Sequence, residues 1–512
     1  AVLCCDNVNR GLGFGDGKIF LQQNNGVLVA LDAKTGKVVW QVQVNDPKTG
    51  ATNTNAPQVI KDKVLTGCAG GEFGVRCFMA AYYLKDGALA WKAYSTGPDA
   101  DVLIGKDFNQ ANPQYSALSV YEDVNGGNKQ GGSFKPLPNA QLKINEPELG
   151  VRTWLKPQQE KDGWQNGGGA VTGYFSFDAK TNLVYYGTGN PGVWNPDVRP
   201  GDNKWASSVF ARDVDTGQAK WAMQTTPHDE WDYDATNEVI LFENKNKTYA
   251  TQINKNGFIY TWQADNGTLI AAEKVHPLVN WATSVDLKTD VPAKNPTYSV
   301  HQDVNTKGIC PTVMGVKGVA NPAAYSTNTG LLYVPLNITC MTIEPVSSKY
   351  QTAQPWVGAT ISQFSLGSKI QGLDAISNDG FGKIAAINPL TKKTIWQNKE
   401  EFTLWSGVLS TSSNLVFYGT LHRWFKAVDA KTGKDLWRYQ LGSGSVSNPF
   451  TYSLKGRQFI GTYSALGGWA SVAADLAHCG NGCGALGFNG EFAQILKHNA
   501  RPSGGAINIF SL

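Results

Sequence analysis

The segment from Ala30 to Trp40 reads ALDAKTGKVVW, and its pattern returns near the other end of the chain as AVDAKTGKDLW at 427–437. Further copies lie at 211–221 (ARDVDTGQAKW) and, more weakly, at 81–91, 261–271 and 386–396. In the pattern, Asp and Thr favour a tight turn, Gly supplies the positive φ that the turn requires, and the flanking residues suit strands. The Trp that ends the pattern is expected to pack on the next unit. The repeat therefore predicts strand, turn and strand.

Short apolar strands precede several copies: NLVYYGTGN at 182–190, GLLYVPLN at 330–337 and NLVFYGT at 414–420. Repeats of a few tens of residues built from such strands are typical of a β-propeller or a β-solenoid. The visible copies, together with irregular stretches, indicate seven or eight blades. We expect the insertions at 100–165 and 274–325, rich in Asn, Pro, Lys and Gly, to be surface loops or a cap over one face. Because no linker is evident, we predict one domain over residues 1–512.

The composition agrees with an all-β protein and argues against some classes of function. The 512 residues include 56 Gly and 16 Trp, and only 17% are charged, which suits short strands and turns better than helices. The net charge is +4, and no Lys/Arg cluster indicates nucleic-acid binding. No apolar run approaches the roughly 20 residues of a membrane span. The chain begins at Ala1, as a cleaved secretory precursor would.

The eight cysteines form one adjacent pair and three local pairs: Cys4/Cys5, Cys68/Cys77, Cys310/Cys340 and Cys479/Cys483. This pattern favours disulfides and an oxidising compartment over free or metal-binding thiols, and no CxxC-like zinc knuckle is present. The Cα atoms of Cys4 and Cys5 would be only about 3.8 Å apart, below the usual span of a disulfide. A bond between them would close a small strained ring, of the kind that proteins keep mostly where function needs it. A reduced pair is the alternative.

The run HDEWDYD at 228–234 contains four carboxylates: Asp229, Glu230, Asp232 and Asp234. In an extended segment, residues two apart point the same way, so Asp232 and Asp234 would aim two carboxylates at one spot. Two like charges that close repel unless a proton or a cation lies between them. The alternative is a solvated acidic loop.

Two further oxygen donors attract attention. Glu72 follows two glycines in GGEFGVR (70–76), which would let the backbone approach a ligand, and Asn190 ends a strand in TGNPGVWNPD. A surface Glu and an ordinary turn Asn are the alternatives. Together with Asp232 and Asp234, they would form an all-oxygen set, which hard cations prefer and zinc or copper do not. Three carboxylates suit a highly charged cation or a tightly bound Ca²⁺.

Four longer segments carry a resemblance to a known family: CCDNVNRG (4–11), GGEFGVR (70–76), YYGTGNPGVWNPDVRPGDNKW (185–205) and TPHDEWDYD (226–234). They resemble the pyrroloquinoline quinone (PQQ) alcohol dehydrogenases, in particular the methanol dehydrogenase large subunit and its lanthanide-dependent branch. The resemblance covers nearly the whole chain. It implies an eight-bladed β-propeller with tryptophan-docking motifs, in agreement with the repeats.

The resemblance also implies roles for matching residues. Cys4 and Cys5 would form a vicinal disulfide against one face of PQQ, and Arg10 would pair with an acidic oxygen of the quinone. Lys255 looks like the basic residue near the reactive carbonyl. The other matched cofactor positions are Thr54, Ala69, Gly70, Gly71, Thr172, Asn337, Trp405 and Trp469. The matched metal ligands are Glu72, Asn190, Asp232 and Asp234.

The same resemblance implies the chemistry. The metal ion would act as a Lewis acid on the quinone, while Asp232, as general base, takes the proton of the alcohol and hydride passes to PQQ. Asp234 matches the additional Asp of lanthanide users, where the calcium branch typically has a small residue. The implied enzyme is a periplasmic dehydrogenase of methanol or a larger primary alcohol that passes electrons to a c-type cytochrome. A homodimer is expected.

Some positions depart from the family pattern. Thr172 stands where relatives usually have a Trp on the other face of PQQ, and a Thr cannot stack on the cofactor. Ala69 and Ala170 replace hydroxyl side chains, and since a hydrogen bond contributes about 0.5–1.5 kcal/mol, PQQ affinity is expected to fall by roughly one or two orders of magnitude. A segment that relatives carry before the Cys pair is expected to be missing. Two readings stay open: a Ca²⁺-dependent PQQ dehydrogenase for a bulkier alcohol or aldehyde, and a non-catalytic propeller scaffold.

Overall fold

The computed structural model describes residues 3, 8–105, 108, 121–123, 134–136, 148–154, 163–365, 382–465 and 505–511. In chain order, its strands are β1 (Gly13–Gly15), β2 (Lys18–Gln22), β3 (Val27–Asp32), β4 (Val38–Gln43), β5 (Gln58–Ile60), β6 (Lys63–Gly67), β7 (Phe78–Tyr83), β8 (Leu89–Tyr94), β9 (Tyr121–Asp123), β10 (Phe134–Pro136), β11 (Ser176–Asp178), β12 (Leu183–Gly187), β13 (Ser208–Asp213), β14 (Ala219–Gln224), β15 (Ile240–Asn244), β16 (Lys247–Ile253) and β17 (Phe258–Gln263). They continue as β18 (Leu269–Lys274), β19 (Ala282–Asp286), β20 (Val291–Lys294), β21 (Thr306–Ile309), β22 (Ala324–Ser326), β23 (Leu331–Asn337), β24 (Thr339–Pro345), β25 (Ala359–Ser365), β26 (Gly382–Ile387), β27 (Thr394–Glu400), β28 (Val408–Ser410), β29 (Leu415–Gly419), β30 (Trp424–Asp429), β31 (Asp435–Gln440), β32 (Phe450–Leu454), β33 (Arg457–Ser464) and β34 (Ala506–Ser511).

Helical segments are short. Two α-helical turns span Asp99–Val102 and Leu149–Arg152, and 3-10 turns span Pro47–Thr49, Gly71–Phe73, Gly163–Asn166, Pro196–Val198 and Pro296–Tyr298. None of the helices in the described parts of the chain has the length and apolar character needed to cross a membrane.

The strands form small antiparallel sheets in which neighbours along the chain are neighbours in space. Five four-stranded sheets have the orders β1–β4, β5–β8, β11–β14, β15–β18 and β28–β31, and a sixth has the order β22-β23-β26-β27. A three-stranded sheet contains β32, β33 and β34. Successive four-stranded meanders of this kind are the blades of a propeller, and the prediction of an all-β propeller is confirmed. Besides these seven sheets, the described residues contain two two-stranded sheets (β9–β10 and β19–β20) and a second three-stranded sheet (β21, β24 and β25), and the count of eight blades stays a prediction.

Tryptophans at the end of the sequence repeat join each sheet to the next. Their indole nitrogens donate to backbone oxygens of the following repeat: Trp40 to Leu84 (3.0 Å), Trp91 to Val214 (2.9 Å), Trp221 to Ala264 (2.8 Å) and Trp396 to Ala430 (3.0 Å). Each ring also covers the turn glycine of that repeat, so that an added Cβ at Gly87, Gly217, Gly267 or Gly433 would lie 2.5–2.7 Å from ring carbons. The predicted packing of the repeat Trp on the next unit is confirmed.

One junction departs from this rule at both of its partners. The copy at 261–271 ends in Ala271, and the next copy has Lys392 where the turn glycine stands elsewhere. Lys392 keeps the positive φ of that position (61°). Because no Trp ring covers this turn, a side chain is tolerated, and the Lys392 ammonium donates to the hydroxyl of Thr261 and the carbonyl of Pro389. Trp and Gly are therefore lost together at the contact that they normally share.

The insertion at 274–325 is not a surface loop. It contains β19, β20 and β21, and Trp281, Val300 and Ile309 within it are fully buried. The Trp281 ring lies 4.9 Å from the ring of Trp231, measured between centroids. The expectation of surface loops is wrong here because these apolar side chains pack directly behind the acidic run.

Two predicted disulfides are present. Cys68 pairs with Cys77, with Cα atoms 5.3 Å apart, and Cys310 pairs with Cys340, with Cα atoms 4.4 Å apart. The first closes the short loop that carries Glu72, and the second fixes the insertion at 274–325 to β24. Cys4, Cys5, Cys479 and Cys483 lie outside the described residues.

Candidate active site

The acidic run is buried, which excludes the solvated loop. Asp229, Glu230 and Asp232 are 1%, 5% and 8% exposed. The backbone is not extended, as the alternation argument assumed, because Asp232 has a left-handed φ of 63°. That part of the prediction is wrong, although Asp232 and Asp234 do converge through a turn.

Lys255 is the point on which the two carboxylates converge. Its Nζ donates to Asp232 Oδ2 at 2.9 Å and to Asp234 Oδ2 at 2.6 Å. The turn between β16 and β17 presents Lys255, and Asn237 Oδ1 accepts from its backbone N–H at 2.9 Å. Burial would lower the pKa of Lys255, but the two carboxylates raise it above the ordinary lysine value. Lys255 is therefore a charged ammonium that holds the acidic pair.

Negative charge still exceeds positive charge around this lysine. Burial raises the pKa of Asp232 well above its usual range; Lys255 opposes this shift, and the charges of Asp234 and Glu72 add to it. Burial likewise raises the pKa of Glu72, with Asp234 contributing. Asp234 thus disfavours the ionised forms of both Asp232 and Glu72, and Glu72 disfavours that of Asp232.

Asn190 borders the same pair. Its backbone N–H donates to Asp234 Oδ1 at 2.8 Å, and its side-chain amide donates to the Pro191 carbonyl at 3.1 Å. The remaining amide oxygen lies 3.7 Å from the position that a Cβ on Gly71 would occupy, next to Glu72. All four predicted ligand positions are therefore grouped around Lys255 or beside Gly71.

The donor chemistry fits a hard cation, although the side chains as they stand do not enclose one. Within the described ranges, no group of three or more Asp, Glu, His or Cys side chains lies close enough together to hold a metal ion. However, Asp232 Oδ1 is buried without a hydrogen-bond partner. A buried carboxylate oxygen without a partner, beside two more carboxylates and an amide oxygen, is an arrangement that a cation would stabilise.

Several predicted cofactor residues lie together on the first two sheets. Arg10 donates from Nη1 to the Thr54 hydroxyl at 2.8 Å, and its Nε is buried without a partner. Burial lowers the pKa of Arg10, while the nearby Tyr174 and Asp234 oppose that shift. Ala69 pairs with Thr52 through two backbone hydrogen bonds of 2.8 and 3.0 Å. The unpartnered Arg10 nitrogen is a donor well suited to an anionic oxygen.

Gly70 and Gly71 begin the turn that carries Glu72. Gly70 has a φ of 125°, and an added Cβ there would lie 2.6 Å from the Gly50 carbonyl oxygen. A side chain would therefore strain this position and collide with backbone. Gly70 is therefore required by the close approach of two backbone segments, whereas a Cβ at Gly71 would make only ordinary contacts at 3.7 Å.

Asn337 and Trp405 belong to neighbouring segments. Asn337 Oδ1 accepts from the Leu404 backbone at 2.8 Å, and the Trp405 indole donates to the Thr403 hydroxyl at 2.8 Å. The Asn337 backbone N–H in turn donates to Val316 at 2.6 Å, and Val316 donates to the Lys255 carbonyl. Cys4, Cys5 and Trp469 lie outside the described residues.

Sequence reasoning missed Tyr174. Val171 and Phe175 are buried in the core, whereas Thr172 and Tyr174 between them are half-buried. The Tyr174 hydroxyl accepts from Asn448 at 2.8 Å, across 274 positions of sequence. Burial raises the pKa of Tyr174, and Arg10 opposes the shift. An aromatic side chain only two residues beyond Thr172 was the signal that could have identified it.

Comparison with protein families places this site in context. The family model described as "PQQ: Glucose/ethanol/alcohol dehydrogenase, beta-propeller domain" matches residues 148–280 and 365–460. These ranges include the acidic run, Asn190 and Lys255.

Whole-chain relatives agree. A lanthanide-dependent methanol dehydrogenase from Methylorubrum extorquens is 42% identical over 100% of this chain and 79% of its own length. A methanol dehydrogenase [cytochrome c] subunit 1 from the same organism is 40% identical over 100% of this chain and 77% of its own length. The solved structure of a europium-containing methanol dehydrogenase superposes with a TM-score of 0.87 and 40% identity, covering 100% of this chain and 82% of that one.

Proposed function

The chain belongs to the PQQ-dependent methanol and alcohol dehydrogenases, and from that premise we propose that it oxidises methanol or a larger primary alcohol to the aldehyde with a bound lanthanide ion. The observation that carries the proposal is the pair of buried Asp232 and half-buried Asp234, held by Lys255, with Asp232 Oδ1 left without a partner. A scaffold has no evident use for three neighbouring carboxylates that are buried or half-buried, because burying a carboxylate disfavours its charged form.

The roles of the residues follow from their positions. When bound, PQQ would accept hydride and the metal ion would supply Lewis acidity. Asp232 would take the hydroxyl proton of the alcohol, since its buried carboxyl has a raised proton affinity and one free oxygen. Arg10 and Thr54, together with the backbone near Ala69 and Gly70, would bind the anionic oxygens of the quinone. Asn337, Trp405 and Thr172 would border the cofactor, and Cys4, Cys5 and Trp469 keep the roles that the resemblance implies.

The choice of a lanthanide over Ca²⁺ rests on charge. Glu72, Asp232 and Asp234 would bring three negative charges to the ligand set, with Asn190 contributing a neutral oxygen. Lys255 supplies one positive charge, which leaves an excess that a trivalent ion offsets more fully than a divalent one. Calcium remains the alternative ion, and the additional carboxylate of Asp234 is the feature that favours the lanthanide.

The setting of the reaction is part of the same proposal. Electrons would pass from reduced PQQ to a c-type cytochrome in the periplasm, an oxidising compartment in which the Cys68–Cys77 and Cys310–Cys340 disulfides would persist. The chain would act as one propeller domain and form a homodimer.

Dye-linked oxidation of methanol and longer alcohols by PQQ-reconstituted protein tests the function. We expect activity with La³⁺ and much less with Ca²⁺ or without added metal. The relative rates with alcohols of increasing length would show whether Thr172, where the family pattern has a bulky Trp, admits larger substrates. Absence of both activity and a quinone spectrum with either ion would refute the proposal in favour of a scaffold.

Two substitutions test the roles of Asp232 and Asp234. Asp232→Asn keeps the shape but removes the base, so kcat should fall by about 10²–10⁴-fold while PQQ stays bound. Asp234→Ala should abolish activity supported by La³⁺. Asp197→Asn, at a half-buried carboxylate paired with His301, is the matched control and should keep kcat near the wild-type value. Full La³⁺-supported activity in Asp234→Ala would remove its role as a ligand.

A further inference from the structure

We propose that Asp229 is a positioning residue, which shapes the loop that presents Asp232 and Asp234 to the metal and substrate. The inference rests on the proposed function and deepens it, because it explains how two carboxylates in a non-extended segment come to face one point. Asp229 itself makes no hydrogen bond with either carboxylate or with Lys255 among the described residues.

The Asp229 carboxylate is the centre around which the loop turns. Its Oδ1 accepts from the backbone N–H of Trp231 at 2.9 Å, and its Oδ2 accepts from that of Tyr233 at 2.7 Å and from the Ser207 hydroxyl at 3.0 Å. Both Trp231 and Tyr233 therefore direct their N–H groups toward Asp229. Asp232 lies between them with a φ of 63°, and its side chain is left to contact Lys255.

The surrounding protein fixes Asp229 in turn. Arg199, which is 5% exposed, donates to the Asp229 carbonyl at 2.5 Å, to the Val193 carbonyl at 2.7 Å and to Asn203 Oδ1 at 2.8 Å. The sequence RPGDNKW at 199–205 thus supplies the clamp for the acidic run. A buried guanidinium bonded to three acceptors leaves the Asp229 backbone little freedom.

The aromatic side chains of the loop are anchored on the opposite side. The Trp231 indole donates to the Tyr298 carbonyl at 2.8 Å, and the Tyr233 hydroxyl donates to the Pro311 carbonyl at 2.7 Å. Their rings stack at 5.5 Å and pack against Trp281. The loop is therefore tied down at Asp229, Trp231 and Tyr233, and the side chains of Asp232 and Asp234 point to the site.

Glu230 offers a matched control in the same loop. It is 5% exposed, and its carboxylate binds Lys294 at 2.9 Å and the Val300 backbone N–H at 2.9 Å. Both partners belong to the insertion at 274–325 and neither lies in the loop itself. Glu230→Gln therefore disturbs a buried ionic contact nearby without releasing the N–H groups of Trp231 and Tyr233.

The consequence of Asp229→Asn follows from hydrogen-bond chemistry. An amide presents one acceptor and one donor group, so one of the two backbone N–H groups would face a donor and lose its partner inside the protein. The turn at Asp232 should then relax. We expect Tb³⁺ affinity and kcat each to fall by about tenfold or more, with a smaller change in KM.

The experiment measures Tb³⁺ binding by sensitised luminescence, steady-state kinetics of the PQQ- and La³⁺-loaded enzyme, and the midpoint of thermal unfolding. Wild type, Asp229→Asn and Glu230→Gln are compared. The expected result is that both variants lose thermal stability, whereas only Asp229→Asn loses Tb³⁺ affinity and kcat. Ser207→Ala removes one of the three hydrogen bonds to the Asp229 carboxylate and should lower Tb³⁺ affinity by a smaller amount. This variant replaces Asp229→Asn in the test if Asp229→Asn does not fold.

Two outcomes would overturn the inference. The first is wild-type Tb³⁺ affinity and kcat in folded Asp229→Asn or, if that variant does not fold, in Ser207→Ala. The second is an equal loss in Glu230→Gln. Failure of the proposed function would look different, because wild type itself would then neither bind Tb³⁺ nor oxidise alcohols.

Discussion

At the scale of single residues, the protein stabilises much of its buried charge by pairing it with an opposite charge. Lys255 satisfies one oxygen each of Asp232 and Asp234, and Lys317 binds Glu238 at 2.7 Å in the same way. Removing one partner of such a buried pair typically costs about 3–5 kcal/mol. Asp232 Oδ1 has no hydrogen-bond partner, which among the described carboxylates is also true of Asp99 Oδ1 and Asp202 Oδ1, but it lies beside Asp234 and Lys255. An unpaired buried oxygen next to other carboxylates points to a ligand rather than to stability.

Asp290, which lies away from the site, tests how the burial of a carboxylate affects the stability of the protein. It is 2% exposed at the end of the β19–β20 turn, and burial, aided by the charge of Asp286, raises its pKa to about 7. The folded protein therefore binds this proton more tightly than the unfolded chain does, between about pH 4 and pH 7. The free energy of unfolding should fall as the pH rises through that window and level off above it.

Asp290→Asn should remove this contribution. Asn tolerates the left-handed φ of 58° at this position, so the backbone should be preserved. We expect the thermal midpoint of wild type to fall, relative to that of the variant, between about pH 4 and pH 7. Asp286→Asn, which removes only the neighbouring charge, should have a weaker effect of the same sign. Parallel midpoint curves for wild type and Asp290→Asn would contradict the assignment.

At the scale of the repeating element, the contact between a Trp and the next turn glycine holds the sheets together. The ring covers a position where a Cβ would not fit, and the indole donates to a carbonyl three positions earlier in that same turn. At the junction between Ala271 and Lys392, both the Trp and the Gly of this contact are replaced, which indicates that the glycine is needed only where a Trp ring covers it. The contact is therefore a unit, and each partner restricts the other.

Gly217→Ala and Gly36→Ala separate the two reasons for this glycine, which are the left-handed φ of the turn and the contact with the Trp ring. Both positions have a left-handed φ, 74° and 69°, but a Cβ at Gly217 would lie 2.5 Å from the Trp91 ring, while one at Gly36 would meet no described atom within 4 Å. Gly36→Ala should cost about 1–2 kcal/mol of backbone strain. Gly217→Ala should cost about 1–3 kcal/mol more, because the ring must move. Urea unfolding measures both, and equal losses would show that the ring contact is unimportant.

At the scale of the whole molecule, contacts distant in sequence connect the sheets. Asn448 reaches Tyr174 across 274 positions, and Lys317 reaches Glu238 across 79. Four junctions between successive sheets are also joined by the Trp contacts. These contacts support the proposal of one domain.

Calorimetry tests that proposal. If the chain is one cooperative domain, heating should give a single transition whose calorimetric and van't Hoff enthalpies agree. The same midpoint should be obtained from tryptophan fluorescence and from far-UV circular dichroism. Two resolved transitions, or different midpoints from the two probes, would show that the chain contains independent units.

Much of the fold and part of the site could be predicted from the sequence, because they depend on local chemistry. The turn chemistry of the repeat, the Trp that follows it and the spacing of Cys68 and Cys77 predicted the propeller class, the docking contact and a disulfide. The resemblance of the longer segments supplied the candidate ligands. None of these inferences required knowledge of which distant segments meet.

The rest depended on tertiary structure. The alternation argument for Asp232 and Asp234 assumed an extended segment, whereas hydrogen bonds to the buried Asp229 carboxylate accompany a left-handed turn there. Lys255 lies more than 20 positions from either carboxylate, and Tyr174 meets a residue 274 positions away. The sequence by itself determined the repeating sheets and the residue types available to the site. Only the packing of distant segments decided which charges are buried together, because burial and pairing depend on separations in space that the order of residues does not contain.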